Sequence, residues 1–241
     1  MKNLLMFLLA YGITFAQCVT PIPKSFAKES GVLFAWANAS NFWTRDGDGY
    51  ARVTVQFLDG SDSQINSAWK RFSYIDSLAE GLIVTRVQKE GQVRVSFKGN
   101  GHWSYVGKNA LLIRDKYPTL NIQLSRFEFS SEWDRVALHE FLHALGFEHE
   151  HQHPQSTIPW DKKAVYEYYG RTQGWSRTQI NEQVLNRKSV ANIFTNGVDK
   201  YSIMEYPVDN SLTIGDFEIG WNKKMTKMDI ELLKKAYPNP K

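Results

Sequence analysis

Hydrophobic and polar positions divide this chain at Gly146. Upstream, Arg52–Leu58 alternates with Val53, Val55 and Phe57 on one side, the two-residue period of a half-buried strand. Asp59-Gly60 turns the chain. Ile65, Ala68, Trp69, Phe72 and Ile75 then fall at helical spacing, predicting an amphipathic helix from Asp62 to Leu78. Leu82–Val87 and Gln92–Phe97 read as strands joined at Glu90-Gly91, and Ala110–Ile113 and Thr119–Leu124 as further strands. Trp133–Leu145 is a helix. Beyond Gly146 the periodicity weakens among Gly, Pro, Asn and polar residues. It returns over Thr226–Tyr237, a helix with Thr226 as its cap, Asp229 three residues on and Pro238 as its stop. The expected class is α+β, with an upper α/β half (34–146) and an irregular lower half (147–241) closed by a C-terminal helix.

Composition narrows this reading without changing it. The chain has 241 residues, 42% hydrophobic and 22% charged, which suits a folded domain and excludes a coiled coil or wholesale disorder. A single cysteine, Cys18, excludes an internal disulfide framework. The formal charge of +4 is spread out with no Lys/Arg cluster, so a nucleic-acid partner is not expected. Lys2 followed by an apolar run from Leu4 to Phe15 and small residues at Thr14 and Ala16 reads as a signal peptide over residues 1–16, hence a secreted protein. That run is too short for a comfortable membrane span. A lipid anchor at Cys18 is disfavoured by the bulky Gln17 before it. Residues 17–33 read as a short leader, and a monomer without stable membrane association is expected.

Five of the six histidines lie between His139 and His153. Residues four apart share a helix face, so His139 and His143 can bind one metal ion, with Glu140 beside them to reach a water on it. His149 would sit about 15 Å along the axis from His139 if the helix continued, whereas a zinc–nitrogen bond is about 2.1 Å. The chain must therefore turn back, and Gly146 is the residue suited to a left-handed helix stop. Three imidazoles with an open fourth position describe a catalytic zinc centre. Five fixed positions of this kind are expected in fewer than about one in ten thousand random chains of this length. His102, His151 and His153 lack such spacing and read as structural or surface residues. Asp46-Gly47-Asp48-Gly49 reads as a plain turn, because Phe57 stands where a calcium loop needs glutamate.

The segment His139–His149 resembles the long zinc motif of the metzincin endopeptidases, and Tyr201-Ser202-Ile203-Met204-Glu205-Tyr206 resembles their methionine-containing turn. The Ser-Ile-Met-x-Tyr form and Glu150 directly after the third histidine are similar to the astacin family, in its bacterial and fungal branch. So are Gly101–Gly107, Ile158–Asp161 and the helix ending Tyr237-Pro238. The resemblance implies a two-lobed protease: a twisted mixed sheet and two long helices above a cleft, an irregular lobe below. It implies one zinc ion on His139, His143 and His149, Met204 as a packing base, and Tyr206 as the tyrosine that stabilises the oxyanion. It places Glu150 where astacins receive their mature N-terminus. Many relatives carry His where this chain has Glu205.

The implied reaction is hydrolysis of a protein or peptide through a zinc-activated water, with Glu140 as general base. A peptide is expected to add along an edge strand of the sheet, for which Thr119–Leu124 is the candidate. Cys18 offers a thiolate able to fill the fourth zinc position, so latency by cysteine competes with a free thiol. The alternative from another class is a catalytically inactive metal-bearing module that binds peptide or glycan in an aromatic cleft. The intact Glu140 and Tyr206 argue against it.

Overall fold

The computed structural model describes residues 39–123, 131–188 and 194–240. The expected signal peptide, the expected leader with Cys18, and Leu124 lie outside the described residues. Five strands form one sheet: β1 (Ala51–Phe57), β2 (Leu82–Val87), β3 (Val93–Ser96), β4 (His102–Ser104) and β5 (Leu120–Ile122), in the order β2-β1-β3-β5-β4. All neighbours are parallel except β4, which runs antiparallel to β5 at the sheet edge. The alternation in β1 buries Ala51, Val53 and Val55 completely.

Helix α1 (Asp62–Leu78) starts at a capping box in which Ser61 and Gln64 satisfy each other's backbone N–H groups. It packs on β2 and on α2 (Ser131–Ala144), which in turn lies against β4 and β5. Phe72 and Phe141 stack between the two helices with ring centroids 4.1 Å apart. Trp133 Nε1 donates to Ser67 Oγ at 2.9 Å, and Arg71 Nε to Asp134 Oδ1 at 2.7 Å.

Two expectations need correction, and one connection takes a course the pattern does not state. The strands joined at Glu90-Gly91 do not pair with each other: the chain between them crosses to the other side of β1, so that Leu82 pairs with Ala51 while Val93 pairs with Val55. Gly91 makes the crossing, for a Cβ there would lie 2.4 Å from Gln56 Cβ. The expected strand Ala110–Ile113 is instead part of a 3-10 turn, Gly107–Leu112. The buried guanidinium of Arg94 draws in the carbonyls of Ile113 (2.8 Å) and Ala110 (3.5 Å), which removes them from any ladder. Finally, Thr119–Leu124 is not an edge. Its strand, β5, lies between β3 and β4 with Leu120, Asn121 and Ile122 all fully buried, and the edge is β4.

The lower half is more regular than its pattern suggests. Helix α3 (Lys162–Gln173) is capped by Asp161 at its start and by Gly174 in the left-handed conformation at its end. A short helix α4 (Arg177–Ile180) continues into a wider π turn, Asn181–Leu185. Val165, Tyr169, Ile180, Val184 and Leu212 make a separate small core. The last helix, α5 (Lys227–Ala236), has the expected Thr226/Asp229 capping box. Among the described residues no helix is long and apolar enough to cross a membrane.

Candidate metal centre

The site begins with how α2 ends. Gly146 N donates to His143 O at 2.8 Å and Phe147 N to Leu142 O at 3.1 Å, a Schellman stop that needs the positive φ of 104° at Gly146. Two further carbonyls of the last turn are taken by distant residues. Trp43 Nε1 donates to Ala144 O at 2.8 Å, and Tyr237 Oη to Leu145 O at 2.6 Å. The chain then doubles back and presents His149.

His139, His143 and His149 come together, each buried. His149 Nε2 lies 3.2 Å from His139 Nε2 and 3.0 Å from His143 Nε2. His139 Nδ1 donates to Ile203 O at 2.7 Å and His143 Nδ1 to Phe147 O at 2.6 Å. These bonds place the protons of His139 and His143 on Nδ1 and turn their Nε2 lone pairs toward His149 Nε2, while His149 Nδ1 has no hydrogen-bond partner among the described residues. Burial pushes all three rings well below the usual histidine range, His143 to about 4. At such distances the facing nitrogens need a cation, or a proton on His149 Nε2, between them. Ligand nitrogens about 2.1 Å from a tetrahedral zinc are about 3.4 Å apart, close to the spacing seen.

Glu140 is 1% exposed on the same helix. Met204 is buried in the main core below, and Met204 O accepts from Glu150 N at 3.0 Å, tying the third-histidine segment to the turn Ser202–Tyr206. The Tyr206 ring is buried and packs against both His149 (centroids 4.4 Å) and His151 (4.1 Å), which also touch each other at 5.3 Å. Glu205 is buried with Oε1 accepting from Tyr206 N at 2.8 Å, and burial beside Glu150 raises its carboxyl well above the ordinary range. Glu150 is raised to about 8, chiefly by burial.

The other histidines have protein partners of their own. His151 Nε2 donates to Gln183 O, His153 Nε2 meets Thr195 Oγ1, and His102 Nδ1 accepts from Gln123 N. Asp46 and Asp48 both pair with Arg52, as a plain turn allows. Sequence reasoning missed Trp43, which caps α2 from about a hundred residues away. It also missed a pocket of about 260 Å³ that includes Tyr168, Pro207, Glu218 and Trp221 and follows Tyr206 in the chain. No periodicity or motif signals either.

No protein-family model matches the chain, and no curated protein does. Solved structures do. A structure of myroilysin superposes with a TM-score of 0.78 at 30% identity, covering 84% of this chain and 98% of that one. A second myroilysin crystal structure gives 0.62 at 28% identity, covering 92% and 99%. High choriolytic enzyme 1, a hatching-enzyme zinc protease of the medaka fish Oryzias latipes, gives 0.58 at 16% identity over 86% and 98%, a likeness of fold alone.

Proposed function

The chain belongs to the astacin family of zinc metalloproteases, and from that premise we propose that it is a secreted endopeptidase with one zinc ion held by His139, His143 and His149. The observation that carries this is the convergence of three buried imidazoles, with His149 Nε2 3.2 Å from His139 Nε2 and 3.0 Å from His143 Nε2, and Glu140 buried on the same helix. Zinc, when bound, supplies a Lewis acid that activates water and polarises the scissile carbonyl. Glu140 takes the proton of the attacking water and passes it to the leaving amine. The Tyr206 hydroxyl donates to the developing oxyanion, its ring steadied by packing against His149 and His151. The substrate backbone pairs with β4, the antiparallel edge strand packed against α2. Glu150 is the buried carboxyl that receives the mature N-terminus, and Cys18 holds the zinc before activation.

The test is hydrolysis of an unfolded protein by the full chain, with zinc content measured in parallel. Glu140→Gln should retain zinc and lose about 10²–10⁴-fold in rate. Full activity in that variant excludes Glu140 as the base. Cys18→Ser should be active without leader cleavage; latency equal to that of the unsubstituted chain removes the cysteine from the account.

A further inference from the structure

Asp229 lies far from the histidine motif in the chain but bonds to the turn that touches it. Asp229 belongs to the first turn of α5, where its backbone N–H donates to Thr226 Oγ1 at 3.1 Å and its Oδ2 accepts from Thr226 N at 2.8 Å. That is a capping box. The same carboxylate also reaches out of the helix. Oδ1 accepts from Ser202 Oγ at 2.5 Å and Oδ2 from Ile203 N at 3.1 Å. Ser202 Oγ in turn accepts from Met204 N at 2.9 Å. One carboxylate therefore fixes three successive residues of the turn under the metal centre. The carbonyl of the middle one, Ile203, accepts the Nδ1 proton of His139.

We propose that Asp229 is a positioning residue for zinc binding, acting through Ser202 and Ile203 on the ring of His139. This rests on the reading of the three histidines as zinc ligands and goes beyond the zinc motif and the methionine turn, neither of which contains Asp229. The physical reason is that a partner on the far nitrogen of a ligating imidazole sets its tautomer and orientation, and disturbing such a partner weakens metal binding by about 10–100-fold. A carbonyl in a short turn points only as accurately as the turn is held. Ile203 and Met204 are buried, and the turn has no regular ladder of its own: Asp229 and Ser202 accept from the N–H groups of Ile203 and Met204, while Asn222 Nδ2 donates to Ser202 O at 3.0 Å and Glu205 Oε1 accepts from Tyr206 N at 2.8 Å.

The role separates from plain helix capping. Thr226→Val removes the hydroxyl that caps α5, together with its bond to Asp199 Oδ2 at 2.6 Å, but leaves both oxygens of Asp229 for the turn. Ser202→Ala leaves the helix cap and removes one link to the turn. Asp229→Asn keeps the shape and one acceptor oxygen but places N–H groups against a donor. Zinc affinity is measured by competition with a chromogenic chelator on the full chain carrying Glu140→Gln, so that no proteolysis intervenes, alongside thermal midpoints. The expected result is a zinc dissociation constant raised about tenfold in Asp229→Asn and Ser202→Ala and within twofold of the parent in Thr226→Val, whose midpoint falls. The visible spectrum of the cobalt(II)-loaded chain should shift in the first two variants and not the third. Unchanged affinity in Asp229→Asn, or equal weakening in Thr226→Val, overturns the relay while leaving the zinc site intact. A parent chain that binds no zinc overturns the site itself.

Discussion

Between Ala51 and Leu145 the chain is held by one contiguous apolar core running from Val53 and Val55 in β1 through Phe72 and Ile75 in α1 to Phe141 and Leu145 in α2. From Phe147 onward the apolar contacts are divided. Ile203, Met204 and part of α5 join the main core, while the rest forms two small clusters around Tyr169 and Val208. The remaining order comes from side chains that bond backbone at long range, as Gln152 does to Glu182 O at 2.6 Å. The metal centre draws on both regions. His139, Glu140 and His143 ride on a rigid helix of the first; His149 and the turn beneath belong to the second. The precision of the site is therefore limited by how well polar contacts hold the lower region.

Phe72→Ala gives the largest expected effect. The ring is fully buried and stacked on Phe141, so its loss should cost about 3–5 kcal/mol. Denaturant unfolding with hydrogen exchange would show whether the halves stay coupled. If α3 keeps its protection while α1 and α2 lose theirs, the two regions unfold separately and the contrast is sharper than a shared fold allows. Gly146→Ala strikes the junction. Its φ of 104° disfavours any Cβ, and one placed there meets Phe42 Cδ1 at 2.9 Å. A cost of about 2–3 kcal/mol is expected, with zinc affinity falling further than in Phe72→Ala because His149 follows the stop directly. Equal zinc affinity in the two variants would show that the junction does not place His149.

The same contrast explains what could be read from the chain. Helix α1 and strand β2 appear with the bounds that periodicity gives, because each buries one stripe or face against the core. The crossing at Gly91 and the burial of β5 escaped, since strand pattern states that a face is covered and not which neighbours lie beside it. Helix α3 escaped because only Val165 and Tyr169 of its twelve residues are buried, leaving too thin a stripe to detect. The three histidines were legible through spacing alone, the geometry of one helix and one stop. Asp229 was legible as a cap. Its second role was not, because a carboxylate used twice looks in sequence like one used once.

A smaller effect tests the edge of the sheet, at β4. His102 begins β4, and burial, with Arg135 near by, holds its ring down at about 4. Its Nδ1 accepts from Gln123 N at 3.2 Å, a bond that protonation of that nitrogen destroys. The unfolded ring titrates near 6.5, so between about 6.5 and 4 the unfolded chain binds the proton that the folded chain refuses. The stabilisation from the neutral ring is thus complete above about pH 6.5 and lost as pH falls towards 4. His102→Asn keeps an acceptor near the Nδ1 position and cannot titrate. Its stability should match the parent at pH 7.5 and exceed it by on the order of 1 kcal/mol at pH 4.5, with amide exchange in the parent rising first in β4 and at Gln123. Parallel pH curves for the two proteins would mean that the acid-labile groups lie elsewhere, and that this sheet edge is as firmly held as the strands behind it.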